Sequence, residues 1–311
     1  MENLKSSKQD VITVIATKYC ELLEKFEGEW ETPVIDFGAF NKFSKTSYRG
    51  FNALFLGLIS SEKGCNRYGT FKQWTEAGYK IKQGTKGIPV FFWKSYKKSD
   101  TLHTLNQHQE PLDEGKQEDK KQKEEVFLVA RKYIIFNGAD IEGYNQEDEK
   151  LPSDSFDTKE IERIEHFFNN IEVGATVKRD ALVTPYYSLK TDTVNIPPTK
   201  NFKSIMELCS SFAHEFAHST GHPNRLNRDL TGRFGDEKYA KEELIAEISA
   251  GMISGQLGYA YQFNKQILAY LKSWLKGIKD IKDKGKFLLT ICKEAQRSSD
   301  WIIEHSILRN K

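Results

Sequence analysis

The motif His214-Glu215-x-x-His218 is the part of this 311-residue sequence best suited to metal chemistry. Residues four apart lie on one face of an α-helix, so both imidazoles can bind a single cation. Glu215 follows the first histidine directly and is placed to take a proton from a water on that cation. The motif therefore predicts a zinc-dependent hydrolase, although the spacing also permits manganese or iron. A pair of surface histidines without a metal is the alternative.

A catalytic zinc site needs a third protein ligand, and a later helical segment, residues 237–257, offers carboxylates for it. Glu243 is the predicted ligand. Glu247 lies one turn further and is predicted to accept the outer N–H of a metal-bound histidine. Glu242 and Glu247 remain alternative ligands, and a solvated acidic helix face is the alternative for each carboxylate. Gly251, another turn along, is expected to let two helices approach closely.

Two positions near the motif are candidates for stabilising an oxyanion. Tyr187 and its neighbour Tyr186 belong to a predicted hairpin over residues 185–197, whose edge could hold an extended peptide by backbone pairing. Two packing tyrosines are the alternative. His222 follows His218 by four residues, whereas the third ligand of a three-histidine HExxHxxGxxH site follows by six. We therefore predict that His222 lies at the rim of the site and is not a ligand.

The surrounding pattern predicts an α+β protein of two domains, 1–147 and 156–311. In the C-terminal domain the residue pattern predicts the hairpin and helices near 158–170, 204–220, 237–257, 263–283 and 285–305. The N-terminal domain is predicted to contain a helix over 11–26, a short helix over 71–77 capped by Thr70, and strands over 79–82, 88–96 and 126–136. The polar stretch 99–125 is predicted to be a flexible loop within the sheet, and residues 146–155 are the predicted domain boundary.

The N-terminal domain has an uneven charge distribution. Residues 37–98 contain twelve basic and two acidic residues, a net charge of +10, although the whole chain carries only +2. Thirteen aromatic residues, from Phe40 to Tyr96, are interleaved with them. A basic groove with aromatic platforms is the composition that binds single-stranded nucleic acid, because every base has a face to stack. A small α+β core with a lysine-rich solvated surface is the alternative.

Composition excludes several classes of protein. The 38% hydrophobic content and the absence of long apolar runs argue against collagen-like, wholly disordered and membrane-spanning chains. The polar N-terminus lacks the apolar core of a signal peptide. The four cysteines are widely spaced, which fits a reducing compartment and argues against a disulfide framework and a cysteine-ligated zinc. A cytoplasmic protein is therefore expected.

Taken together, these motifs resemble those of the ArdC-type antirestriction proteins of conjugative elements. In the N-terminal half the resemblance rests on Trp30, Tyr48-Arg-Gly-Phe-Asn52, Thr70-Phe-Lys-Gln-Trp74, Lys82-Gln-Gly-Thr-Lys-Gly87 and Phe136-Asn137. In the C-terminal half it rests on Tyr186-Tyr187, Thr191-Asp-Thr193, His214 to His222, Arg225-Leu226, Glu242 to Glu247 and Ala295-Gln-Arg297. These motifs cover nearly the whole chain, in the order expected of the family.

The resemblance implies a single-stranded-DNA-binding domain joined to a zincin-like metallopeptidase domain, and a role in protecting incoming plasmid or transposon DNA from host restriction. Candidate DNA-binding residues are those of the N-terminal motifs: Tyr48, Arg49, Asn52, Lys72, Trp74, Lys82 and Lys86. The peptidase would act on a DNA-bound host protein, and no membrane partner is expected. A non-enzymatic single-stranded-DNA coat with a structural metal site is the second hypothesis. A nuclease ranks lower, because phosphodiester cleavage usually recruits carboxylate-rich sites.

Overall fold

The computed structural model describes residues 11–25, 34–97, 126–145, 157–172, 174–233 and 236–306. Within these ranges the chain has the predicted α+β content, divided between an N-terminal and a C-terminal domain. The predicted flexible loop at 99–125 and the predicted boundary at 146–155 lie outside the described residues, as does Trp30. Among the described helices, none combines the length and the apolar character that crossing a bilayer would require.

A four-stranded sheet organises the N-terminal domain, with strand order β2-β3-β6-β5. Its elements, in chain order, are α1 Val11–Lys25, β1 Val34–Ile35, β2 Phe40–Asn41, α2 Phe51–Lys63, β3 Arg67–Thr70, α3 Phe71–Glu76, β4 Lys80–Ile81, β5 Ile88–Lys97, β6 Val126–Asn137 and β7 Ile141–Glu142. β5 and β6 pair antiparallel from Ile88 opposite Ile135 to Lys97 opposite Val126. The predicted loop therefore does connect two strands of one sheet.

The local signals of the N-terminal domain are mostly confirmed. Thr70 and Gln73 form a reciprocal capping box at the start of α3, since the Thr70 hydroxyl accepts from the Gln73 amide and the Gln73 side chain accepts from the Thr70 amide. The strand before the Lys82–Gly87 turn does not pair with the strand after it. β4 pairs instead with β7, Ile81 lying opposite Ile141.

Helix α2 is an element that the sequence pattern did not predict. All ten residues from Phe51 to Ser60 are buried, so the helix has no polar face and no 3.6-residue period to detect. Phe51 and Phe55 stack on each other inside the domain, with ring centroids 5.6 Å apart. Several aromatic residues of the basic stretch are therefore part of the hydrophobic core.

The C-terminal domain combines helices with a small three-stranded sheet of order β8-β10-β9. Its elements are α4 Thr158–Asn169, β8 Thr176–Lys178, β9 Tyr186–Ser188, β10 Thr193–Asn195, α5 Ile205–Ser219, α6 Glu237–Gln256, β11 Tyr261–Gln262, α7 Lys265–Gly277 and α8 Ile281–Glu304. The predicted hairpin is confirmed, because β9 and β10 pair antiparallel with Tyr187 opposite Val194. This pairing leaves β9 at the edge of the sheet.

The predicted helix over 263–283 is too long. Helix α7 ends at Gly277, and Asp280 then caps α8 by accepting from the backbone amides of Lys282 and Asp283. The apolar period continues across this junction. A local capping residue decides where one helix ends and the next begins.

The two domains share a continuous hydrophobic core. β1 of the N-terminal domain pairs antiparallel with β11 of the C-terminal domain, Ile35 lying opposite Tyr261. Phe37 packs against α6 where Gly251 and Gly255 leave room for it. A Cβ atom on Gly251 would lie 2.3 Å from the Phe37 ring. The expectation that Gly251 admits a second helix is therefore wrong, because an aromatic ring from the other domain occupies that space.

Candidate metal centre

Helix α5 carries both histidines of the motif, and its opposite side anchors it in the core. Ser204 caps the helix by accepting from the backbone amide of Glu207. Leu208, Phe212 and Phe216 are fully buried, which fixes the rotation of the helix about its axis. The two histidines, one turn apart, consequently point together, and their Nε2 atoms lie 3.0 Å apart.

Glu243, on helix α6, completes a cluster with these two imidazoles. Its Oε2 lies 3.5 Å from Nε2 of His214, and its Oε1 lies 3.3 Å from Nε2 of His218. Two ligand atoms bound to one tetrahedral zinc at 2.0–2.1 Å are about 3.3 Å apart. Among the described residues, these three form the one group of His, Cys, Asp or Glu side chains whose ligand atoms all lie within 4.8 Å of one another. Their spacing and donor atoms fit a single divalent ion.

Each histidine has a carboxylate beside its other ring nitrogen. Oε1 of Glu242 lies 3.2 Å from Nδ1 of His218, and Oε1 of Glu247 lies 3.6 Å from Nδ1 of His214. An acceptor at Nδ1 favours the tautomer that leaves Nε2 free to bind a metal. Glu242 and Glu247 therefore lie on the outer side of the imidazoles, whereas Glu243 lies on the inner side.

Arg228 is a residue that the sequence analysis missed. Its guanidinium donates to both carboxylate oxygens of Glu242, at 2.8 and 3.0 Å, and also to the carbonyl of Ala217 and the hydroxyl of Thr220. The arginine follows the motif helix in an irregular segment. No periodic signal marks it, and only the three-dimensional structure pairs it with a carboxylate from α6.

The acidic side chains control the protonation of the two histidines. Burial alone would lower the pKa of His218, but Glu242 and Glu243 outweigh it and raise that pKa to about 10. Burial and Glu243 compete in the same way at His214, whose pKa is also raised. The pKa of Glu243 is held well below its usual range by both imidazoles, against the effect of burial. The cluster therefore strongly favours a bound cation, either protons or a metal ion.

Glu215 lies beside this cluster in a buried position. Burial raises the pKa of its carboxyl, while the neighbouring histidines lower it and the backbone amide of Tyr187 donates to it. A carboxylate with a raised pKa is better matched to proton transfer near neutral pH than an exposed one. The edge strand β9 thus contacts the candidate base through its backbone.

A cleft of about 360 Å³ opens onto the cluster. The described residues that line it include His214, Glu215, His218 and Glu243, together with Pro185, Tyr186, Tyr187, Leu189, Leu230 and Tyr239. Its wall is the edge strand β9. Such an edge can pair with an extended chain lying in the cleft.

Tyr187 and His222 both face Asp192. The Tyr187 hydroxyl donates to Asp192 at 2.8 Å and accepts from Arg225 at 3.2 Å. His222 places Nε2 3.9 Å from Asp192, and its Nδ1 accepts from the backbone amide of Asn224. His222 is not among the described residues that line the cleft, whereas Tyr187 is. The Tyr187 hydroxyl is thus engaged in a hydrogen-bonded group beside the metal cluster.

Tyr239 is a second residue that the sequence analysis missed. It lies one helical turn before Glu243 on α6 and lines the cleft. Partial burial, the charge of Glu243 and a hydrogen bond to that carboxylate raise the pKa of the Tyr239 phenol to about 12. An i, i+4 search from Glu243 towards the N-terminus would have found it.

Comparisons with known proteins match both halves of the chain. Residues 8–136 match the N-terminal domain of the anti-restriction factor ArdC, and residues 162–287 match the zincin-like metallopeptidase family. The uncharacterized protein y4eC of Sinorhizobium fredii is 30% identical over 267 residues, which cover 84% of this chain and 80% of that protein. This chain belongs to the ArdC antirestriction family.

Solved ArdC structures have the same fold. The metal-free crystal structure of the antirestriction ArdC protein from the R388 plasmid has a TM-score of 0.65 and 26% identity, covering 95% of this chain and 97% of that one. The Mn(II)-bound structure of the same protein has a TM-score of 0.61, covering 95% and 98%. The zincin-like domain implies a divalent metal ion.

The ArdC-type sequence also occurs within longer proteins. Two Escherichia coli proteins named DNA primase TraC are each 30% identical to this chain over 276 residues, or 86% of its length. The chain spans only 18% and 25% of the length of these two primases. The matched region is therefore a minor part of each primase.

Candidate DNA-binding residues of the ArdC N-terminal domain fall into two groups. Tyr48, Asn52 and Trp74 are buried, at 7%, 6% and 0% exposure. The Trp74 indole donates to the carbonyl of Phe136. The side-chain amide of Asn52 donates to the carbonyl of Phe91 and accepts from the backbone amide of Phe91. All three side chains are thus engaged in the packing of the domain, and their role as DNA contacts stays a prediction that this burial does not favour. The other four candidates are exposed: Arg49, Lys72, Lys82 and Lys86.

Exposed aromatic rings of this domain lie at other positions. Phe92 on β5 is 46% exposed and Tyr133 on β6 is 44% exposed, and their ring centroids are 5.5 Å apart. Arg131 and Lys132 are exposed next to them on β6. Tyr133 lies outside the basic stretch of residues 37–98. Only the pairing of β5 with β6 brings it beside Phe92.

Proposed function

We propose that this protein protects incoming plasmid or transposon DNA from host restriction by two linked activities. The N-terminal domain binds single-stranded DNA. The C-terminal domain uses a zinc or other divalent metal ion, held by His214, His218 and Glu243, to hydrolyse a peptide bond in a host protein bound to that DNA. Family membership and the chemistry of the cluster support this assignment.

The observation that carries the peptidase proposal is the convergence of three ligand atoms beside a buried carboxylate and an edge strand. His214, His218 and Glu243 supply two neutral ligands and one charged ligand, as in zinc hydrolases with a His₂Glu set. Carboxylates behind both imidazoles support their orientation. A structural zinc site would be expected to use four protein ligands.

The residues around the cluster have separate roles in the proposed hydrolysis. When bound, the divalent ion supplies a Lewis acid that polarises the substrate carbonyl and lowers the pKa of water. Glu215 takes the proton of the attacking water and passes it to the leaving amine. Edge strand β9 holds the substrate backbone in the cleft.

Tyr239 is our candidate for the group that stabilises the oxyanion. It lines the cleft, and its hydroxyl is directed towards Glu243 at the centre of the site. A hydroxyl in such a position can donate to negative charge that develops on a substrate oxygen. Both hydroxyls are hydrogen-bonded, but the partners of Tyr187 are Asp192 and Arg225, which are not cluster residues, whereas the partner of Tyr239 is the proposed metal ligand Glu243.

For DNA binding, we propose the face of the β5–β6 ribbon that carries Phe92 and Tyr133. Two exposed rings at this spacing offer platforms for bases, and Arg131, which lies opposite Phe92 on the same face, supplies positive charge for phosphates. Arg49, Lys72, Lys82 and Lys86 extend the cationic surface. Salt-dependent affinity for single strands is the expected signature.

Glu215→Gln separates the enzymatic proposal from a non-enzymatic one. We expect the variant to keep stoichiometric metal but to lose cleavage of labelled casein, a general probe, by about 10²–10⁴-fold, because the proton acceptor is gone. Glu207→Gln, on the exposed N-terminal part of the same helix, is the matched control and should cleave normally.

The same variants should then be tested for protection of transferred DNA in a restricting host. Loss of protection with Glu215→Gln but not with Glu207→Gln would support a peptidase role in antirestriction. Full protection by Glu215→Gln would favour the DNA-coating function with a structural metal site. Absence of stoichiometric metal from the wild-type protein would refute the proposed centre.

A further inference from the structure

The carboxylate of Glu247 is oriented towards His214 by Tyr261, which lies outside the two helices that carry the metal cluster. The Tyr261 hydroxyl donates to Oε2 of Glu247 at 2.8 Å, and the backbone amide of Asn264 donates to the same oxygen at a longer 3.4 Å. Tyr261 and Glu247 are both buried, at 2% and 4% exposure. The other carboxylate oxygen, Oε1, faces Nδ1 of His214 at 3.6 Å.

We propose that Tyr261 is a positioning residue for the metal centre, acting through Glu247 on His214. A carboxylate on a flexible side chain has several rotamers, and the tyrosine hydroxyl selects the one that turns Oε1 towards the imidazole. Oε1 then favours a proton on Nδ1, which leaves Nε2 free as a ligand atom. The inference rests on the proposed metal site. It adds Tyr261 behind Glu247, which itself lies behind the proposed ligand His214.

The ring of Tyr261 is itself fixed by the N-terminal domain. Its strand β11 pairs with β1, and Phe37 packs edge-on against the ring at a centroid distance of 6.4 Å. Phe37 in turn fits the space left by Gly251 and Gly255 on α6, the helix that carries Glu247. The DNA-binding domain thus contributes directly to the surroundings of the residue that orients the metal cluster.

Tyr261→Phe tests this role, because it removes one hydroxyl and preserves the ring packing. Manganese alone is the probe, and the free ion is counted by electron paramagnetic resonance during a titration of the full chain. We expect the Mn²⁺ dissociation constant to rise, by at most the roughly 10–100-fold that losing a direct partner of a metal ligand typically causes, because Tyr261 acts one residue further out. Circular dichroism and the melting temperature in EDTA verify that the variant is folded.

Tyr259→Phe is the matched control. Tyr259 lies two residues earlier, is buried to a similar 5% exposure, and its hydroxyl also bonds a carboxylate, that of Glu160 on α4. The control therefore removes a comparable hydroxyl–carboxylate contact away from the cluster. Its Mn²⁺ affinity should equal that of the wild type.

A double-mutant cycle with Glu247→Gln distinguishes positioning from general destabilisation. If Tyr261 acts through Glu247, the Tyr261→Phe/Glu247→Gln protein should bind Mn²⁺ no more weakly than Glu247→Gln alone. Additive losses, or an unchanged affinity in Tyr261→Phe, would overturn the inference while leaving the metal site intact. Failure of the wild-type chain to bind Mn²⁺ would instead refute the proposed function itself.

Discussion

The guanidinium of Arg228 donates two hydrogen bonds to the carboxylate of Glu242, at 2.8 and 3.0 Å. Both side chains are almost fully buried, with exposures of 5% and 8%. The same Oε1 that accepts from Arg228 lies 3.2 Å from Nδ1 of His218. An arginine from an irregular segment therefore determines how a carboxylate from α6 meets an imidazole from α5.

The first prediction concerns this arginine. Arg228→Lys should weaken Mn²⁺ binding by about 10–100-fold, because lysine cannot reproduce the planar two-bond contact that orients Glu242. The measurement is a titration with the metal alone. Arg179→Lys is the control, since Arg179 pairs with Glu165 outside the cluster. Equal losses in the two variants would show that the two-bond contact has no specific role.

The second prediction concerns pH. The pKa of His218 is raised to about 10 from 6.5, so its charged contacts stabilise the metal-free protein fully below pH 6.5 and are lost as the pH rises through 10. The free energy of unfolding in EDTA should therefore fall between pH 6.5 and 9. Chemical denaturation at several pH values measures it. A saturating metal ion should stabilise more as the pH rises, because it replaces protons on the imidazoles.

The control for the pH experiment is a histidine outside the cluster. His218→Gln should flatten the decline in EDTA, whereas His166→Gln, at an exposed position on α4, should leave it unchanged. A decline of the same steepness in His218→Gln would mean that other groups cause it.

The third prediction separates two tyrosines of the cleft. Tyr239→Phe should lower the turnover number for casein cleavage by about 10²–10³-fold, the effect of losing one oxyanion donor. The Michaelis constant should change little. Tyr187→Phe should have a smaller effect, because its hydroxyl is engaged with Asp192 and Arg225. The opposite order of effects would assign the oxyanion role to Tyr187.

The fourth prediction concerns DNA. Tyr133→Ala should reduce affinity for a fluorescent single-stranded oligonucleotide by about 5–150-fold, since each base–aromatic stack contributes roughly 1–3 kcal/mol. Leu182→Ala, at a 96% exposed position in the other domain, is the control. Trp74→Ala should instead destabilise the fold by about 3–5 kcal/mol, because the ring is fully buried. Normal binding by Tyr133→Ala would exclude this face as the DNA surface.

Much of the metal cluster could be predicted from local spacing. His214 and His218 are one turn apart on a helix whose apolar side is evident from Leu208, Phe212 and Phe216, so their convergence follows from helix geometry. The i, i+4 relation of Glu243 and Glu247 placed both on one side of a later helix. Their inner and outer roles stay a prediction: Oε2 of Glu243 lies 3.5 Å from Nε2 of His214, and Oε1 of Glu247 lies 3.6 Å from Nδ1 of the same ring.

The N-terminal domain shows where such reasoning fails. Composition cannot distinguish an aromatic ring that faces solvent from one that fills a core, so Trp74 and Tyr48 looked like stacking platforms. Helix α2 gave no periodic signal, because it is buried on every side. The exposed pair Phe92 and Tyr133 depends on strand pairing across a long connection.

The sequence by itself determined most of the helices, the candidate ligands and the family motifs, since each of these depends on residues close together in the chain. Tertiary structure decided the partners of those ligands. Arg228 reaches Glu242, Tyr261 reaches Glu247, and Phe37 crosses from the other domain to pack against α6. Such contacts join residues that are distant in sequence, and only the packing of buried side chains in the shared core fixes which of them meet.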